Sequence, residues 1–284
     1  MRNNRFLILA AVCGMAVSSG CKKDGWGTHQ AKTMKDVAYG SDPQQKMDVY
    51  LPAGRNTDKT RMFIWIHGGA WTGGDKSEGS GIKQLLDPYL DNYAYASLNY
   101  RLYNTSTYAN RFPAQEDDVK AAVDYILAHA QEWQVSDRIV IGGGSAGGHL
   151  ALLHGYKYNT AGHIRAAVAY YPPTELKSCF GYNAFTQFTL YSLLGGTPDM
   201  EPQLYAGSSP LTYLTAGSCP TVFFHGTDDQ VVPISQSDTL KARLMQTGVP
   251  YDYAYYPGQG HGFNDATNLQ TVQKATLFLK AHVQ

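Results

Sequence analysis

Short apolar runs alternate along the chain with longer stretches whose apolar residues recur every three or four positions. Arg61 to Ile66 holds Met-Phe-Ile-Trp-Ile and predicts a buried strand. Gln45 to Leu51 alternates polar and apolar residues and is closed by Pro52, which predicts another. Further strands are predicted over Tyr93 to Asn99, Arg138 to Gly142, Ile164 to Tyr171, Pro220 to His225 and Tyr251 to Tyr256. Helical spacing lies between them, over Ile82 to Asn92, Ala146 to Tyr158, Ile234 to Gln246 and Ala266 to Ala281. Pro113 opens one more helix to about Gln131, with Val119, Val123, Ile126 and Ala130 on one face. Strands alternating with helices predict an α/β fold with a mostly parallel sheet covered on both faces. Thr174 to about Thr215 breaks this rhythm with turns, aromatics and Gly-Gly, and reads as a loop-rich, cap-like insertion. No linker interrupts residues 33–284, which read as one domain.

The N-terminus follows a different pattern. Arg2 and Arg5 precede the apolar run Phe6 to Val17, then Ser18, Ser19, Gly20 and Cys21. A basic start, an apolar stretch too short to span a bilayer and a small-residue exit predict a signal peptide over residues 1–20. A Cys directly after small residues resembles a bacterial lipobox, with Cys21 as the lipidated residue, although Ser18 stands where Leu is usual. Residues 21–32 then read as a lipid-anchored tether. The expected location is outside the cytoplasm, as a periplasmic or surface lipoprotein that touches membrane only through its anchor. In that oxidising setting Cys179 and Cys219 could pair, and the sequence leaves this open, as it does the oligomeric state.

Composition removes several function classes. The 23 Lys and Arg balance the 23 Asp and Glu, which gives no basic excess for nucleic acid. No C-x-x-C occurs, and no metal ligand set or cofactor is expected. No solenoid-length repeat is present.

The candidate chemistry begins at Gly142-Gly143-Gly144-Ser145-Ala146-Gly147-Gly148, between a predicted strand and a predicted helix. It contains G-x-S-x-G as Gly143, Ser145 and Gly147. A serine hydroxyl is a weak nucleophile and must be exposed to a base, which a tight strand-to-helix turn achieves. The same glycines also match the dinucleotide fingerprint G-x-G-x-x-G. That motif belongs on a first strand with an acid roughly 20 residues on. Here several strands precede it and the next acid is Glu175, after two prolines, so the nucleotide reading is set aside.

A base and an acid should follow, each in a loop after a strand. His261 lies in Gly258-Gln259-Gly260-His261-Gly262-Phe263, and Asp228 and Asp229 lie in the loop His225 to Pro233. In such a set Ser145 attacks a carbonyl carbon, His261 takes and returns the proton, and one of the two aspartates orients the imidazole. His225 reads as a support for its loop. The predicted strand ending at Ile66 leads into His67-Gly68-Gly69-Ala70-Trp71. Its glycines allow backbone N–H groups to approach an oxyanion, and the hole is assigned to Gly69, Ala70 and Ala146. Gly68 shapes the turn and His67 holds it. Trp71 is a candidate substrate contact.

Together these segments resemble the α/β-hydrolase superfamily, in its HGGG-type esterase and lipase group. They are most similar to exported feruloyl and acetyl-xylan esterases. The resemblance runs through His67 to Asp75 with Lys76, Asn99-Tyr100-Arg101-Leu102, Pro113 to Val123 with Asp118, the Ser145 turn, Ser209-Pro210, His225 to Pro233 and Gly260 to Phe263. The spacing H-G-x-x-D-x-x-V-P then selects Asp229 over Asp228, and the implied triad is Ser145, Asp229 and His261. Ala70 departs from the third glycine of many relatives but keeps an N–H. What the resemblance implies is a serine carboxylesterase acting through an acyl-enzyme, without a metal, on small-molecule or oligosaccharide esters, with acetyl or feruloyl groups on plant polysaccharide fragments as candidate substrates. The alternatives are an aryl formamidase or peptidase of the same fold, or a non-catalytic glycan-binding surface lipoprotein. The insertion, with Phe180, Tyr182, Phe185, Phe188 and Tyr191, is expected to cap the acyl pocket, and the 21 tyrosines read either as stacking surfaces for sugars or phenolic acids or as ordinary core and surface aromatics.

Overall fold

Continuous apolar segments become the middle of a sheet because both of their faces are covered. In the computed structural model, which describes residues 27–283, the eight strands run in the spatial order β1-β2-β4-β3-β5-β6-β7-β8. They are β1 (Lys32–Ala38), β2 (Lys46–Leu51), β3 (Arg61–Ile66), β4 (Tyr93–Leu98), β5 (Ile139–Gly144), β6 (Ile164–Tyr170), β7 (Thr221–Gly226) and β8 (Tyr251–Tyr256). β1 pairs antiparallel with β2 and β2 with β4; every other pairing is parallel.

The helices are α1 (Glu78–Leu86), α2 (Ala114–Trp133), α3 (Ala146–Lys157), α4 (Leu176–Phe180), α5 (Ala184–Leu194), α6 (Pro202–Gly207), α7 (Ser235–Thr247) and α8 (Asp265–His282). Residues along β3 alternate between the two faces of the sheet. Ile64 and Ile66 pack with Val119 and Ile126 of α2, Leu150 of α3 and Leu240 of α7. Phe63 and Trp65 pack on the other side with Leu86 of α1 and Val272 and Phe278 of α8. Fully burying one such side chain contributes about 1.5–3 kcal/mol, so these two layers dominate the stability of the fold.

The order of strands also places the site. The chain leaves β3 through α1 to β4 on one side, then crosses through α2 to β5 on the other. Loops after adjacent β3 and β5 therefore diverge and leave a crevice at the strands' C-terminal ends, where open α/β sheets bind ligands. Both the Gly69 turn and the Ser145 turn open into this crevice.

Three expectations are corrected. The tether does not extend to residue 32, because Lys32 already pairs with Leu51 as the first residue of β1. Ordered contacts begin earlier still: the Gly54 N–H donates to Thr28 O, and Arg55 donates to Gln30 O. The helix expected over Ile82 to Asn92 starts at Glu78 and stops at Leu86: Asp87 keeps helical backbone angles as the C-cap, but Pro88 has no N–H to continue the hydrogen-bond ladder. The insertion is mainly helical, with α4, α5, α6 and a 3₁₀ turn over Pro210–Tyr213. The open question of a disulfide is answered too, since Cys179 and Cys219 are both free and buried. The signal segment and Cys21 lie outside the described residues. Among the described residues no helix is long and apolar enough to cross a membrane.

Candidate active site

The sharp turn after β5 sets Ser145 at φ 53°, ψ −121°, a conformation unfavourable for a residue with a side chain. Its surroundings enforce that conformation. The Ser145 N–H donates to Tyr170 O at 2.9 Å, and Ser145 O accepts from the His149 N–H as α3 begins. Gly147 is required by close approach: a Cβ there would stand 2.0 Å from Ile66 O. The glycine of the motif thus lets the first turn of α3 pass directly over the end of β3.

His261 reaches Ser145 from the loop after β8. Its Nε2 lies 2.9 Å from Ser145 Oγ, and its Nδ1 lies 2.7 Å from Asp229 Oδ2. With the proton on Nδ1, the imidazole donates to the carboxylate and Nε2 is free to accept the serine proton. Tyr171 packs against the His261 ring at 4.5 Å between centroids. Three loops, after β5, β7 and β8, thereby meet in one hydrogen-bonded relay.

Asp229 is buried, and each of its oxygens is used. Oδ1 accepts the N–H groups of Val231 and Val232, at 2.8 and 2.9 Å. Burial alone would raise its pKa. Hydrogen bonds from His225, His261 and the Val232 backbone outweigh that and hold the carboxyl well below the ordinary carboxylate range. His225 supports this loop as expected: it is fully buried, with Nδ1 on Ser237 Oγ at 2.7 Å and Nε2 on Val232 O at 3.0 Å. Asp228 faces solvent and accepts from Thr227 Oγ1. The insertion fastens the same loop, since Tyr182 donates to Asp229 O and Asn183 to Gln230 O, both at 2.8 Å.

The turn after β3 holds Gly69, Ala70 and Trp71 all at positive φ, 100°, 51° and 61°. Gly69 O accepts from the N–H groups of Thr72 and Gly73, so the turn folds back through that carbonyl and leaves the Gly69 and Ala70 N–H groups out of its own bonding. Ala146 is the first residue of α3, where backbone N–H groups have no intrahelical acceptor. His67 holds the turn from below. It is fully buried, its Nδ1 lies 2.7 Å from Gly68 O, and it stacks on Tyr100 at 4.3 Å. Burial keeps its pKa below the usual histidine value. Beyond the turn, Asp75 accepts from Asn99 Nδ2 and the Ser77 N–H, which depresses its pKa to about 2. Lys76 pairs with Asp48 of β2 at 2.8 Å. Arg101 binds Asp118 of α2 through Nε and a terminal nitrogen. These ties fix the turn to the sheet and to α2.

Ser145 and His261 open onto a cleft of about 350 Å³, within the range of small-molecule sites. Its walls include Trp65, Gly69, Ala70, Glu78, Tyr171, Phe185 and Val231. Trp71 is not among them and is not a substrate contact here: it is buried, and its indole N–H donates to His149 Nδ1 at 3.3 Å. The left-handed turn rotates Trp71 inward. The cleft aromatics come instead from β3, the end of β6 and α5. Among the described residues no cluster of His, Cys, Asp and Glu could hold a metal ion.

A mostly parallel sheet with helices on both faces, a serine elbow after a central strand and acid and base on the following strand ends together define the α/β-hydrolase fold. Residues 47–244 match the BD-FAE family pattern, and the chain belongs to that family. It is 28% identical over 244 residues to esterase LipC of Mycobacterium tuberculosis, covering 80% of this chain and 59% of LipC. The chain spans a little over half the length of the curated relatives it matches. Among solved structures it is similar to a truncated carbohydrate esterase from gut microbiota, with TM-score 0.76 and 25% identity, covering 89% of this chain and 97% of that one. A bifunctional protein of Bacteroides eggerthii is similar too, with TM-score 0.75 and 26% identity, covering 92% of this chain and 39% of that one.

Proposed function

We propose that the protein is a serine carboxylesterase that works through a covalent acyl-enzyme. The observation that carries this reading is the continuous relay Ser145–His261–Asp229 at 2.9 and 2.7 Å, opening on a cleft walled by the Gly69–Ala70 turn. In the reaction His261 Nε2 takes the Ser145 proton as Oγ attacks the ester carbon. N–H groups of Gly69, Ala70 and Ala146 stabilise the oxyanion, each donor contributing about 3–4 kcal/mol. His261 then protonates the departing alcohol, and water, activated in the same way, releases the acid. Asp229 stabilises the imidazolium throughout.

The substrates we infer are acetyl or feruloyl esters on plant polysaccharide fragments. A solved relative named as a carbohydrate esterase and an aromatic, open cleft both support this. A purely glycan-binding role fits less well, because such scaffolds need no intact relay. An ester panel tests the reading: acetyl, butyryl and feruloyl groups on simple alcohols and on xylo-oligosaccharides. Hydrolysis of at least the acetyl esters is expected, and it should vanish in Ser145→Ala. Absence of hydrolysis by folded protein, or full turnover in Ser145→Ala, would overturn it. We further propose export through residues 1–20 and anchoring by a lipid on Cys21, carried by the basic, apolar and small-residue pattern there. Radiolabelled palmitate should mark the wild type and not Cys21→Ser; equal labelling would refute the anchor.

A further inference from the structure

Two polar groups in the cleft take no part in the relay. Trp65, near the end of β3, is only 8% exposed, yet its indole N–H has no hydrogen-bond partner. Leaving a buried donor unpaired costs about 1–3 kcal/mol, and such groups in native folds call for a missing partner. Glu78, the first residue of α1, lines the same cleft and is exposed. Its carboxyl sits above the ordinary range: partial enclosure raises it most, the Trp65 indole lowers it and Asp75 raises it. The indole therefore faces the carboxylate closely enough to favour its charge but does not close a hydrogen bond with it. One donor without a hydrogen bond and one acceptor thus stand on the same cleft wall.

We propose that Trp65 Nε1–H and the Glu78 carboxylate form a subsite for a free hydroxyl of the substrate, which accepts from the indole and donates to the carboxylate. A hydroxyl is the group that can do both through one atom. An anion would be repelled by Glu78, a cation would leave the indole unpaired, and a methyl would leave both unpaired. Tyr171 and Phe185 line the same cleft and offer apolar ring surface to the carbon skeleton that carries the hydroxyl. The substrate class is thus an ester with an unmodified hydroxyl near the reacting bond, on a sugar or on a phenolic acyl group. This inference rests on the esterase reading above.

The test compares ester pairs that differ only by capping of the hydroxyl. One pair is a methyl acetyl-xyloside with free hydroxyls and its fully O-methylated form; the other is methyl ferulate and methyl 3,4-dimethoxycinnamate. The readout is the ratio of kcat/KM, free over capped, in wild type, Glu78→Ala, Trp65→Phe and the double variant. Because each pair shares its ester, changes in packing or relay geometry cancel in the ratio. Each single variant should lower the ratio about tenfold in at least one pair. The double variant should fall little further, because one bridging hydroxyl serves both groups. Loss in the xyloside pair assigns a sugar hydroxyl, and loss in the ferulate pair a phenolic one. Unchanged ratios in both pairs, or two independent multiplicative losses, overturn the subsite. If wild type cleaves none of the four esters, the esterase reading fails by itself. The subsite is then read by calorimetric titration of methyl xyloside and of ferulic acid methyl ester into Ser145→Ala, with and without Glu78→Ala. At least tenfold weaker binding of one ligand without Glu78 supports it, and equal binding of both overturns it.

Discussion

Replacing Asp229 by Asn changes one atom and should reverse the direction of the relay. The Asn oxygen can still accept the Val231 and Val232 N–H groups, which lie 2.8 and 2.9 Å from Oδ1. Its amide nitrogen then faces His261 Nδ1 in place of Oδ2, at a separation of 2.7 Å. Two donors cannot share that contact, so the imidazole must present Nδ1 as an acceptor and carry its proton on Nε2. Nε2 then points a hydrogen at Ser145 Oγ and cannot take the serine proton. The wrong tautomer, with the loss of the charge that stabilises the imidazolium, should lower kcat about ten-thousandfold. That corresponds to about 5 kcal/mol of barrier. KM should change far less, since Asp229 is buried and does not line the cleft. The assay is steady-state hydrolysis of p-nitrophenyl acetate, with circular dichroism as the check on folding. Asp228→Asn is the paired control; its side chain faces solvent, and it should stay within about twofold of wild type, as surface substitutions do. A folded Asp229→Asn within tenfold of wild type, or a greater loss in Asp228→Asn, would refute this assignment of the acid.

Two further outcomes follow from the packing around the site. Gly147→Ala drives a Cβ to 2.0 Å from a backbone oxygen of β3, which cannot move aside. A loss of roughly 3 kcal/mol is expected, as for overpacked cores, or a Tm lower by about 6–12 °C; a wild-type melting curve would contradict the close approach. The fold should also weaken in mild acid. His149 and His154 are buried, and burial lowers both pKa values to about 4. His149 is doubly committed, accepting from Trp71 at Nδ1 and lying 2.7 Å from Ser208 O through Nε2. The unfolded chain takes up these protons near the ordinary histidine value of 6.5, so stability is full above that pH and falls down to about pH 4. Each histidine contributes on the order of 3 kcal/mol to the loss. Asp75, with its pKa depressed to about 2, adds its own loss only at lower pH. A Tm that stays constant from pH 7 to pH 4.5 would contradict this.

Strong signals in the sequence are those of backbone geometry and burial. The elbow is legible because Gly143 and Gly147 mark a tight strand-to-helix turn where a Cβ would block the close approach of the backbones, and the buried strands because their apolar runs are continuous. The relay is legible as order along the chain, with each member after a strand. β1 escapes because an edge strand with one polar face, Lys-Thr-Met-Lys-Asp-Val-Ala, lacks a continuous apolar run. α1 ends earlier than expected because the apolar residues of 82–90 outweigh Pro88 when spacing alone is weighed. The inward turn of Trp71 depends on three successive left-handed residues, which periodicity does not report. Trp65 and Glu78 carry no local signal at all: one sits inside a core strand and the other in a polar turn, and only the crossing of β3 and α1 brings them to one wall.

The proposed chemistry depends most directly on the reactivity of one hydroxyl. Folded protein treated with a fluorophosphonate should gain a single adduct by intact mass, mapped to Ser145 by peptide sequencing, and Ser145→Ala should gain none. No adduct on folded wild type, or an adduct on another serine at equal rate, would contradict a nucleophile activated by His261 and Asp229.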